Sequence, residues 1–163
     1  MRGITGAVKV IYHCYGRAHS SVVAAHLHLG NLPMAGPVSI EQLIGLAEFD
    51  RADPSQWGIP YLMGRDERGN EVYILGLDSQ TPAGLRAITS LTWHLGKKDE
   101  IFLCNTLPAI GLLTRLGGFT SKKLGLTTIG RPLAAFGIIL SLERLRGLVA
   151  WTKGNLSGKA GRC

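Results

Sequence analysis

Short apolar runs alternate along this chain with longer stretches of helical spacing. Ala7 to His13 (AVKVIYH) is rich in β-branched residues and mostly apolar, which predicts a buried strand. It breaks at Cys14-Tyr15-Gly16-Arg17. Ser20 to Leu29 then offers small and apolar residues suited to a helix, stopped by Gly30-Asn31 and Pro33. Ser39 and Gln42 have capping-box spacing at the start of a second helix whose apolar face is Ile40, Leu43, Ile44 and Ala47. Ile59 to Met63 and Glu71 to Leu75 flank a charged turn holding Gly69-Asn70, the pattern of a β-hairpin. Thr81 as cap and Pro82 as first helical residue open a third helix with the stripe Leu85, Ile88, Leu91 and Leu95, ended by Gly96.

Ile101 to Cys104 predicts a second buried strand. Glycines at 111, 117 and 118 interrupt helical spacing between Leu107 and Leu124, so two short helices are expected there. Leu126 to Ile129 and Leu133 to Ile138 are apolar around Gly130-Arg131-Pro132, and one or both read as strands, the second running into a last helix over Ser141 to Lys153. Leu142, Leu145, Leu148 and Val149 would face inward.

Strands alternating with helices predict an α/β fold: three-layer, a largely parallel sheet with helices on both faces, P-loop-like or Rossmann-like, with one β-hairpin insertion. Residues 1–153 form a single domain in this reading, and 154–163 a flexible basic tail. The 45% apolar and 18% charged composition suits a globular chain. No apolar run is long enough to span a membrane, and the first residues lack the core of a signal peptide. The three cysteines, Cys14, Cys104 and Cys163, are not spaced as a disulfide or zinc framework. These features predict a cytoplasmic protein with no membrane partner.

Charge changes the picture. The net +7 is uneven: residues 1–81 hold 6 Lys/Arg and 8 Asp/Glu, residues 82–163 hold 12 and 3. A basic half fits a polyanionic partner, or simply a solvated basic surface.

In such sheets ligands bind beyond the carboxyl ends of strands, so the first place to look is Cys14 to Ser21. A glycine-containing turn between strand and helix presents backbone N–H groups in one direction, and the helix N-terminus adds partial positive charge. Gly16 and the following amides, Arg17, and the hydroxyls of Ser20 and Ser21 are the candidate anion contacts; an uncomplexed turn with a helix cap is the alternative. The loop lacks the G-K-[ST] ending of a Walker A loop. It resembles the low-molecular-weight tyrosine phosphatases in C-x-G and in a serine seven residues after the cysteine, but Ser20 stands where they carry arginine. It also resembles the cysteine-phosphorylated subunits of sugar phosphotransferase systems in the spacing of Cys14 and Ser20-Ser21.

Cys14, a thiol at a helix N-terminus near His13, Arg17 and His19, is the candidate nucleophile, or a small buried residue at a strand end. His19 is the candidate acid/base. Cys104 reads as a core residue. His13, Cys14, His19, His26 and His28 lie close together without zinc spacing, so no metal site is assigned. Asn105-Thr106 sits where an NTPase would place a metal-binding acid, which Asn cannot replace. In the second half, Arg115, Lys122, Lys123 and Arg131 could contact a polyanion, with Arg131 the candidate for the ligand site.

Three stretches carry a family resemblance: VIYHCYGRAHSSVVAAHLHLG from Val10, GNEVYILG from Gly69, and GGFTSKKLGLTTIGRPL from Gly117. Over most of residues 7–140 the chain resembles an uncharacterised bacterial family known mainly from spore-forming Gram-positive bacteria. That resemblance implies a cytoplasmic bacterial protein, without an assigned reaction or cofactor. The functional expectation is a phosphate- or nucleotide-type anion-binding loop acting on a phosphorylated small molecule. The alternative is an interaction module that binds nucleic acid or an acidic partner through its basic half.

Overall fold

The computed structural model describes residues 7–111 and 127–156, the side chains of 127–130 excepted. Four strands, β1 (Lys9–Cys14), β2 (Tyr61–Arg65), β3 (Glu71–Gly76) and β4 (Ile101–Asn105), form one mixed sheet in the order β2-β3-β1-β4. β1 is central and parallel to both neighbours, with Tyr12 level with Ile74 and Cys104, and Cys14 level with Gly76. β2 is the one antiparallel strand, and its register slips between Leu62 and Gly64. The hairpin is therefore no insertion. Its second strand belongs to the parallel core, and only β2 is added at the edge.

Among the described residues five helices accompany the sheet: α1 (Ser20–His28), α2 (Ile40–Gly45), α3 (Thr81–His94), α4 (Thr127–Leu140) and α5 (Leu142–Asn155). The larger core lies on the sheet face of Val10 and Tyr12 and takes in α1, α2, α4 and α5 through Val22, Leu27, Leu43, Ile138 and Leu145. The opposite face of Ile11, Leu75 and Leu103 is covered by α3 through Leu85 and Ile88, both half-buried. Further along the expected stripe of α3, Leu91 and Leu95 are each 61% exposed. One helix spans the second face where several share the first.

All nine residues of α1 are buried. A helix enclosed on every side needs no amphipathic stripe, and each fully buried Val or Leu adds roughly 1.5–3 kcal/mol. Its end is the expected one: Gly30 takes φ +76°, and the Asn31 amide donates to the His26 carbonyl at 2.9 Å. α2 begins with the expected capping box, in which the Gln42 amide donates to Ser39 Oγ at 3.2 Å and the Ser39 amide to Gln42 Oε1 at 2.8 Å. In α3 the cap is Gln80, so Thr81 is already helical, and its hydroxyl donates to the Asp78 carbonyl at 2.8 Å.

The strands expected around Leu126–Ile129 and Leu133–Ile138 are absent where the chain is described. Thr127–Leu140 is one helix with Pro132 inside it. Ala134, Ala135, Ile138, Leu142 and Leu145 are buried while Phe136 and Leu140 are exposed, a period of three to four. A nearly unbroken apolar run hides that period, and Ala and Gly in it favour neither strand packing nor a sheet position. Ser141 divides α4 from α5, its hydroxyl donating to the Gly137 carbonyl at 3.0 Å and accepting from the Gly111 amide at 3.1 Å. α5 runs on through Gly154 and Asn155, two residues past the expected tail boundary. Of the expected pair of short helices, Leu107–Ala109 is a single 3₁₀ turn. The rest of that pair, with Arg115, Lys122 and Lys123, lies outside the described residues, as does the remainder of the tail. Among the described residues no helix is long and apolar enough to cross a membrane.

Candidate functional site

The connection after β1 passes to α1 on one sheet face. The connection after β3 passes to α3 on the other. β1 and β3 are adjacent and parallel, and the connections leaving their carboxyl ends pass to opposite faces, the position at which open α/β sheets take ligands. The two loops are tied together there: the Leu77 amide donates to the Cys14 carbonyl at 3.3 Å and the Asp78 amide to the Tyr15 carbonyl at 2.9 Å.

Three features converge on this edge. The first is backbone strain. Arg17, Glu48, Asp50 and Asp78 are the non-glycine residues with positive φ among those described, at 55°, 66°, 56° and 49°. All four bear on the first loop. Arg17 Nη2 lies 3.6 Å from Glu48, His19 Nε2 lies 3.0 Å from Asp50, and Asp78 bonds Tyr15 as above. Such conformations cost about 1–3 kcal/mol each and gather where function fixes the backbone. The second is a set of buried side-chain atoms without hydrogen bonds among the described residues: His13 Nδ1, Arg17 Nε, Trp57 Nε1, Asp78 Oδ1 and Arg131 Nε. Orphaned buried polar atoms are rare, and all of these belong to this edge or to residues in contact with it. The third is the start of α1. His19 is its cap residue and makes no side-chain cap bond. The amides of Arg17, Ala18, His19, Ser20, Ser21 and Val22 donate to no acceptor among the described residues.

The side chains sort themselves by what they already bond. Ser20 Oγ lies 2.8 Å from Thr106 Oγ1, which donates to the His13 carbonyl at 3.0 Å, so the serine proton is spent on Thr106. Ser21 Oγ lies 3.1 Å from Cys14 Sγ, and both are buried. Arg17 is 2% exposed; its guanidinium donates to Gln56 Oε1 at 2.6 Å and rides 5.0 Å above the Tyr61 ring. With Asp50 ionised, His19 Nε2 is the donor, leaving Nδ1 for a further partner. Arg131 joins the same carboxylate at 3.7 Å and donates to the Phe49 carbonyl at 3.3 Å. His13 is 2% exposed, and burial pushes its pKa down to about 4, so it is neutral.

Of the residues singled out in the sequence, Cys14, Gly16, Arg17, His19, Ser20 and Ser21 share this edge, and Arg131 arrives from α4 through Asp50. Cys104 is a core residue of β4, with Sγ 3.4 Å from Thr152 Oγ1. His26 and His28 point away, to the Ala47 carbonyl at 3.2 Å and to Asp66 at 3.1 Å. Sequence reading missed Glu48, Asp50, Gln56, Gly76 and Asp78. The acids stand in loop runs that resemble any solvated surface. Gly76 carried a visible signal, as a glycine closing an apolar strand. Two open cavities, of about 400 and 330 Å³, flank α3, one against Trp93 and one against Ile11, Pro60 and Leu91. The first is lined by Arg86, Thr89, Ser90, Trp93 and His94, the second mostly by apolar side chains, and neither is lined by a residue of the loops at the carboxyl edge.

An α/β protein with unsatisfied polar groups gathered at the carboxyl ends of two parallel strands is the class that this fold and edge define. A family model described as a protein of unknown function, DUF3189, matches residues 9–154, and the chain belongs to that family. No curated protein and no solved structure gives a significant match.

Proposed function

We propose that this chain binds a phosphate-bearing small molecule or nucleotide at the carboxyl edge of β1, in the manner of a Rossmann-like or P-loop-like site, and that it acts on that ligand as an enzyme. The observation that carries the reading is the run of six amides, Arg17 to Val22, left without acceptors at the start of a fully enclosed helix. Aligned amides and the helix dipole both favour an anion there. Arg17 supplies a full charge. Glu48 and Gln56 hold its guanidinium in the absence of ligand, and the anion takes the place of Glu48. Arg131 reinforces the site from α4. His19, oriented by Asp50, is the acid/base, and Cys14 is the nucleophile, its thiol shielded by Ser21 until the loop shifts.

Isothermal titration with inorganic phosphate, sugar phosphates and nucleotides tests the reading. Binding at millimolar concentration or tighter is expected. Glu48→Gln, which removes the competing carboxylate, strengthens it several-fold, and Arg17→Gln weakens it. Silence of every anion at millimolar concentration, with Cys14 unreactive toward iodoacetamide, overturns the proposal.

The second reading, a nucleic-acid or acidic-partner module, is favoured by the 12 Lys/Arg against 3 Asp/Glu in residues 82–163. It requires salt-sensitive binding that falls on Lys122→Ala with Lys123→Ala. Insensitivity to that pair removes it.

A further inference from the structure

Beside the anion loop, the residue that follows β3 is Leu77 and the next is Asp78. β3 is the parallel strand next to β1, reached from it through α1, α2 and the edge strand β2. In doubly wound nucleotide-binding sheets, a carboxylate at the end of that neighbouring strand accepts hydrogen bonds from ribose hydroxyls while the first loop holds the phosphate. Asp78 Oδ1 is buried and has no hydrogen-bond partner among the described residues, although Ser79 Oγ donates to its other oxygen at 3.2 Å. The residue is held at φ 49°, a conformation it takes at a cost and that fixes the carboxylate against the first loop. The Tyr15 hydroxyl beside it keeps its carboxyl below the ordinary range, so the oxygen is an acceptor only. Adjacent strands lie about 4.8 Å apart. The loops leaving β1 and β3 are thus spaced on the scale of a ribose and its 5′-phosphate.

An aromatic surface adjoins them. Tyr15 is 53% exposed although it sits inside the loop, and its ring stands edge-to-face on Trp57 with centroids 5.9 Å apart. Trp57 Nε1 is buried without an acceptor among the described residues. An exposed aromatic face with an unspent donor beside it suits a flat heterocycle carrying acceptor atoms.

We infer that the ligand is a ribonucleoside phosphate, with the phosphate on the Arg17–Val22 amides, the ribose hydroxyls on Asp78, and the base against Tyr15 and Trp57. The inference rests on the anion reading above but asks more of the site, because inorganic phosphate and sugar phosphates satisfy only part of it.

The test is titration of the full chain with inorganic phosphate, ribose 5-phosphate, the four ribonucleoside 5′-monophosphates and their 2′-deoxy counterparts. At least one ribonucleotide is expected to bind at least tenfold more tightly than ribose 5-phosphate, and more tightly than its deoxy form. Asp78→Gly suits the positive φ and so keeps the fold; it abolishes the ribose preference and leaves affinity for inorganic phosphate unchanged. Tyr15→Ala, at an exposed position, lowers nucleotide affinity about tenfold, whereas Tyr15→Phe, which keeps the aromatic face, lowers it far less. Phosphate binding with no gain for nucleotides overturns this inference and leaves the anion site standing. Failure of every anion to bind overturns both.

Discussion

At Gly76 the absence of a side chain lets the first loop lie directly on the end of β3. A Cβ there would meet the Arg17 amide nitrogen at 2.9 Å and the Gly16 carbonyl carbon at 3.0 Å, both backbone atoms that cannot swing aside. Gly76→Ala is therefore expected to cost about 1–3 kcal/mol of stability. On the proposed anion reading it should also lift the loop and weaken phosphate binding beyond what that loss explains. Urea denaturation beside titration with phosphate separates the two effects; a variant with unchanged stability and affinity refutes the close approach. The same scale shows why single residues here resisted reading from sequence. Cys14 and Ser21 were visible as a pair at a useful spacing, yet their bonding to each other appears only once β1 and α1 are packed.

Between elements, the most enclosed polar arrangement is the chain Tyr12–His28–Asp66, which links β1, α1 and the turn between β2 and β3. Tyr12 Oη lies 2.8 Å from His28 Nδ1, and His28 Nε2 lies 3.1 Å from Asp66 Oδ2. Asp66 also accepts from the Asn70 and Arg68 amides at 2.8 and 2.9 Å. Burial alone would raise the Asp66 carboxyl, but the bonds from Asn70, His28 and Arg68 hold it below its usual range. The ionised carboxylate fixes the tautomer: His28 Nε2 donates to Asp66, and the Tyr12 hydroxyl donates to Nδ1. His28→Ala strands both partners in the core and is expected to destabilise by roughly 3 kcal/mol or more, whereas an exposed histidine such as His94 costs little when replaced. Equal losses at the two positions, measured by thermal unfolding, count against a stabilising chain. This network also explains the histidine cluster that sequence left without a metal. The side chains of His19, His26 and His28 leave one short segment toward three different partners.

For the whole molecule, acid is the sensitive direction. Folded His13 titrates at about 4 because burial disfavours its charged form, while the unfolded chain takes up the proton near the ordinary 6.5. Stability is therefore full above about 6.5 and falls as the pH drops toward 4, by roughly 3 kcal/mol from this residue at most. His26 and His28 are pushed down by burial too and act with the same sign. His13→Leu should flatten the loss between pH 7.5 and pH 5 in urea denaturation. A variant that loses as much as the parent over that range shows that His13 is already protonated in the fold.

The sequence by itself determined what depends on neighbours along the chain: the strand–turn–helix at residues 9–28, the capping box at Ser39, the hairpin turn, and the glycine stop at Gly30. Each is a local balance of propensity, capping and burial period. It named Cys14, Arg17, His19, Ser20 and Ser21 of the first loop for the same reason, without the distant partners that hold them. Tertiary structure alone decided that β3 is a parallel neighbour of β1, that the run around Leu133 is a helix, that Glu48, Asp50, Gln56 and Asp78 meet residues 15–19, and that Arg131 meets Asp50. Those contacts join residues 31 to 81 positions apart, and their side chains look like ordinary surface polarity until the crossover connections bring them to one edge. An apolar run without a visible period also has no local reason to choose helix over strand; the layer it packs against supplies one.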